Sequence, residues 1–139
     1  MELACIILVM TIIVLFCVDA GVAFMAGSIN DRACRDAARA AAQASSSSAA
    51  QSLAQAALNI YSSTNPFLGT PTISPQAFVY QDYSGNPPSD TSPYVSVTTT
   101  MTCRLPAPVI WGSTVGNGGT VTYTQTYQFP IVKTQLYLP

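Results

Sequence analysis

Residues 3–18, LACIILVMTIIVLFCV, run without a single charge, and that stretch limits what the chain can become more than any other. Beyond Asp19 the sequence stays apolar through AGVAFMAG to Gly27, so residues 3–27 form one mostly apolar segment broken by one carboxylate. At ~1.5 Å per residue such a helix is ~37 Å long, enough to cross a ~30 Å hydrocarbon layer with some tilt. Its apolar side chains fall on every face, so it cannot be an amphipathic helix lying on a soluble core. A cleavable secretory signal would open with a basic segment, whereas this chain begins Met1-Glu2 and has no Lys or Arg before Arg32.

The flanking charges conflict with the composition that follows. Glu2 precedes the span and Arg32, Arg35 and Arg39 follow it, which by the positive-inside rule alone puts the C-terminal part in the cytoplasm. That part is instead rich in Thr, Ser, Tyr, Gly and Pro, like an exported β-module. A basic leader ahead of Met1, removed after insertion, reconciles the two and is the expectation here. Charged residues make up 8% of the chain, against a usual ~25%. The five Lys+Arg, six Asp+Glu and net charge of −1 supply no basic stripe to displace phosphate counterions, so nucleic acid is not an expected partner. There is no His, which removes the commonest general base and metal ligand. The four Cys include no C-x-x-C pair, which argues against zinc. No cofactor, metal or catalytic residue is expected.

Residues 28–63 contain no Gly or Pro and are rich in Ala, Gln and Arg, all strong helix formers. They extend the span into one helix of about 60 residues, ~90 Å long, closed by Thr64-Asn65-Pro66. Ser45 to Ser48 is its weak place, where four consecutive Ser leave room for a kink or break. Asp31 and Arg35 are spaced as a helical ion pair, with Arg32, Asp36 and Arg39 as neighbours on the same surface. Leu53, Ala57, Ile60 and Tyr61 form an apolar stripe expected to pack on the C-terminal module. Ala20, Gly21, Ala23, Ala26, Gly27, Ala33, Ala37 and Ala38 are small enough for helices of other copies to approach closely.

From residue 66 onward the period changes to two. Strands are expected at 77–83, 94–103 and 120–129, with a short segment at 109–111, a hairpin-type turn at 116–119 and an edge strand at 131–138. Val95, Val97, Thr99, Met101 and Cys103 share one face of the second strand. Val121, Tyr123, Gln125, Tyr127 and Phe129 share one face of the third. The fold class is therefore α+β, with residues 1–63 as the N-terminal helix (1–27 spanning, 28–63 exported) and 64–139 as an antiparallel β-module packed on its C-terminal half. Asp82 and Asp90 read as solvated turn residues, and Trp111 as a core or intersubunit anchor.

The chain resembles type IV pilin-like subunits, and among them the TadE-like pseudopilins of tight-adherence pilus systems. The resemblance rests on Glu2 heading MELACIILVMTIIVLF, the Asp19-Ala20-Gly21 exit, Asn30 followed by ACRDAARAAA, and the strand ending Tyr127-Gln128-Phe129-Pro130. It implies a membrane-inserted precursor whose leader is cleaved by a prepilin peptidase. It further implies partners in the pilus assembly machinery and identical copies packed by their apolar helices into an extracellular helical filament. Glu2 resembles the carboxylate these proteins carry near the mature N-terminus, and is expected to accept the α-amino group of Met1, its own or that of a neighbouring copy. Asp19, as an intramembrane acid, is expected to meet Arg32, Arg35 or Arg39 of another copy. Cys5 and Cys17 read as reduced packers in the span. Cys34 and Cys103 are the candidate pair for a disulfide joining helix to β-module. The competing readings are a single-span anchor displaying a small binding or adhesion module, a minor pseudopilin at the pilus base, and a membrane-anchored enzyme, for which no residues speak.

Overall fold

A computed structural model describes residues 2–107 and 119–131, with backbone alone at Pro75. Its first element, α1 (Glu2–Ala42), is a helix of 41 residues, ~61 Å long. It stops where the serines begin. The amides of Gln43 and Ala44 turn back to the carbonyls of Ala40 and Ala41, tightening the last turn in the manner of helix ends. Ser46 then adopts extended backbone and its Oγ accepts the amide of Ala49 at 3.3 Å, capping α2 (Ser47–Asn59). Serine is a favoured N-cap because its hydroxyl satisfies an amide the helix leaves free.

The continuous 60-residue helix expected from sequence is therefore corrected to two helices, the second folded back on the first. The Tyr61 hydroxyl donates to the Asp36 carboxylate, although these residues would stand ~37 Å apart in one straight helix. Ala33, Ala37, Ala38, Ala41 and Ala42 of α1 form one core with Ala50, Ala54 and Leu58 of α2. The small side chains let the two axes come close. The expected stripe is corrected in part: Ala57 and Tyr61 pack against this core, but Ala50, Ala54 and Leu58 form its buried face, while Ile60 is 82% exposed and Leu53 43%. Ala26, Ala33, Ala37 and Ala38, read from sequence as surfaces for other copies, are buried within this chain.

The sheet holds three described strands, β1 (Thr72–Gln81), β2 (Tyr94–Arg104) and β3 (Thr120–Pro130), antiparallel and in sequence order. β2 and β3 pair without interruption from Tyr94–Pro130 to Arg104–Thr120. β1 starts five residues before the expected 77, and its register slips between Ile73 and Phe78. Pro75 lies in that slip, where a residue without an amide proton is tolerated. The alternation expected for β2 holds: Val95, Val97, Thr99, Met101 and Cys103 are all buried. That face packs on the α1–α2 pair with Ile131 and Leu105. The segment at 109–111 with Trp111, the turn residues 116–118 and residues 132–138 of the expected edge strand lie outside the described residues.

Candidate assembly surface and buried register network

The first half of α1 touches almost nothing. Every large apolar side chain from Leu3 to Val18 is at least 40% exposed. The most apolar 18-residue window has a mean hydropathy of 2.8 and only 6% of it is buried, so among the described residues one helix, near the N-terminus, is long and apolar enough to cross a membrane. Shallow open grooves run between Ile6, Ile7, Met10, Thr11, Val14 and Leu15. Glu2 is exposed at the far tip, and Met1, its expected partner, lies outside the described residues.

Where the shaft meets the head, polar groups hold it. Asp19 is fully buried; its Oδ1 accepts the amide of Ala107 at 2.9 Å. Its Oδ2 has no hydrogen bond among the described residues. The head thus covers the carboxyl with the backbone at Ala107, just past the end of β2. Arg32, Arg35 and Arg39 stand 13 to 20 residues further along α1, roughly 20–30 Å away. For an arginine of another copy to reach Asp19, the segment at Ala107 would have to lift.

Above this point, turns of α1 match steps of the sheet. Gly27 lies under the Tyr123 ring; a Cβ there would sit 3.3 Å from its Cε1. Asn30, fully buried, donates through Nδ2 to the Tyr123 carbonyl at 3.3 Å and accepts the Thr99 hydroxyl at 2.9 Å. One turn later the buried Cys34 thiol lies 3.3 Å from the Val97 carbonyl and 3.2 Å from that of Gln125. Buried polar groups need such partners, and satisfied ones fix a single register. Sequence reasoning missed Asn30 as an anchor. The available signal was a lone Asn on a helix face otherwise occupied by Ala26, Ala33 and Ala37.

The Arg group is divided by the fold. The expected Asp31–Arg35 pair forms at 3.1 Å, with Tyr127 closing a triangle: its hydroxyl donates to Asp31 at 2.6 Å and accepts from Arg35 at 3.0 Å. The hydrogen bond that Arg35 donates to Tyr127, together with the charge of that phenol, holds the guanidinium pKa above its ordinary value, with the Asp31 charge adding to it. Arg35 and Arg39 lie 5.1 and 5.7 Å from the Tyr127 and Phe129 rings, within cation–π range. Arg32 is exposed. The hydrogen bond to Asp36 raises the Tyr61 phenol, with burial as the next cause.

The structure does not bring Cys34 and Cys103 together. Both are buried and free. Cys34 sits over Val97, six residues along β2 from Cys103, roughly 20 Å at strand rise and far beyond the ~7 Å a disulfide spans. The expected bridge is therefore corrected to two separate thiols. Burial raises the Cys103 thiol pKa. Among the described residues there is no cluster of three or more metal-ligating side chains. No protein-family profile, curated protein or solved structure matches the chain.

Proposed function

We propose that the chain is a non-catalytic structural subunit of an extracellular, pilus-like filament, akin to TadE-like type IV pilin-like proteins. It is inserted in the membrane as a precursor and polymerises through residues 2–18 after leader cleavage. The observation that carries this reading is the uncovered apolar shaft continuing into a helix that is packed under a sheet. Twelve large apolar side chains stand open between Leu3 and Val18. Full burial of each is worth about 1.5–3 kcal/mol, so sheltering even half of that surface is worth on the order of 10 kcal/mol, comparable to the whole folding stability of a domain. A monomer in water forgoes that energy; a bundle of identical shafts, or lipid before assembly, recovers it. Nothing in the reading requires side-chain chemistry.

The shaft's hydropathy equally suits a second reading, a lone membrane anchor for a small binding module. Electron microscopy of material sheared from cells that make the protein separates the two. The filament reading expects fibres labelled by antibody against the β-module; an anchor gives none.

A further inference from the structure

The uncovered shaft is too short to fill a bilayer. Residues 2–18 rise about 25 Å, whereas the hydrocarbon layer is about 30 Å and takes about 20 residues. Counted from Leu3, the layer reaches Val22, so Asp19 falls inside it. Asp19 is also the carboxyl that the head covers, fully buried under Ala107 with one oxygen unpartnered among the described residues. On a helix standing in water such cover gains nothing, because a solvated carboxyl is better off than a buried one with an unpartnered oxygen. At a depth of hydrocarbon, cover by the protein's own backbone is the favourable arrangement.

The face of α1 turned away from the sheet marks the same level. Gly21, Phe24 and Met25 are exposed there, Phe24 by 79% and Met25 by 55%. Helical side chains lean toward the N-terminus, so both reach down the shaft. Further along, the exposed residues become Arg32, Asp36 and Arg39. The change from apolar to charged takes seven residues, about 10 Å, enough to pass through one headgroup layer of roughly 5–8 Å.

We infer that in the membrane-inserted subunit the bilayer surface crosses α1 between Met25 and Arg32. Phe24 and Met25 then lie against acyl chains, the end of the head that carries Ala107 is sunk below the surface, and Arg32 stands in water, clear of the headgroups. The placement rests on the proposed insertion of residues 2–18. It is tested on the full chain in phosphatidylcholine/phosphatidylglycerol vesicles, with a benzophenone amino acid replacing Leu8, Phe24 or Arg32 in turn. All three side chains are exposed, so the head's fold is undisturbed, and circular dichroism verifies this. Illumination and mass spectrometry read the gain of one phospholipid mass. The expected result is lipid adduct at positions 8 and 24 and its loss at 32. Adduct at position 8 alone overturns the placement while leaving insertion intact. Adduct at 32 as well overturns the stated boundary. No adduct at 8 overturns both the placement and the insertion on which it rests.

Discussion

Asn30 and Asp19 sit on one helix and divide the labour of holding the head to it. Asn30 is satisfied on both sides of its amide, by Thr99 and by the Tyr123 carbonyl. Replacing it with Ala strands buried partners, which costs about 1–3 kcal/mol, and thermal unfolding of the head should show that loss. At Asp19 only one oxygen is used. Asp19→Asn can keep the acceptor for Ala107 and should unfold close to the parent, whereas Asp19→Ala should lower the midpoint. Equal midpoints for the two variants would remove the Ala107 contact as the reason Asp19 is buried. The thiols give a chemical check: alkylation of the denatured, unreduced protein should modify all four Cys, and modification of only two would restore the discarded bridge. Tyr61 gives a pH dependence with a definite sign. Its phenol pKa is raised in the fold above the ordinary 10.0, so its contribution is complete below pH 10 and fades as pH rises through the elevated value. Tyr61→Phe should therefore lower stability at neutral pH and flatten the alkaline decline, read by unfolding midpoints between pH 8 and 12.

At the scale of elements, the strands were legible and the helical hairpin was not. β2 and β3 alternate strictly from Tyr94 and Thr120 onward, and period-two patterning fixes which side chains face inward once a helix covers one face. The serine run marked where α1 and α2 separate, since Ser favours helix less than the flanking Ala and Gln, but nothing local showed that the chain reverses there. Only tertiary contacts, Ala37 and Ala41 against Ala54 and Leu58 and the Tyr61–Asp36 bond, decide that the chain reverses. Once the reversal exists, the serine run has a local function. Ser46→Ala should destabilise by about 0.5–2 kcal/mol through loss of the N-cap, while Ser45→Ala, which makes no such bond, should be near neutral. The stripe through Leu53 and Ile60 was misjudged for the same reason: periodicity identifies a face, but not what covers it. Gly69 was not legible at all. Its amide bonds the Thr102 carbonyl at 2.8 Å, and a Cβ there would come within 2.6 Å of that oxygen, a close approach that no local pattern announces.

The whole molecule is a head on a bare apolar stem, and the two halves of α1 obey different rules. From Asp19 onward the helix is organised by its own sheet; before it, by surroundings the chain does not supply. The sequence carries the stem plainly, because sixteen uncharged residues admit few alternatives. A charge in the stem should separate the two halves. Ile13→Lys places an ammonium among apolar neighbours at about 2.5–3.5 kcal/mol for insertion, and should abolish fibres while leaving the melting of the head unchanged. The most direct measurement of the central claim is a cryo-electron microscopy cross-section of the assembled fibre. The account predicts closely packed α-helical rods along the axis, with residues 2–18 of every copy inside and the β-modules outside. Fibres with no helical core, or a particle whose stem is folded against its own head, would contradict it.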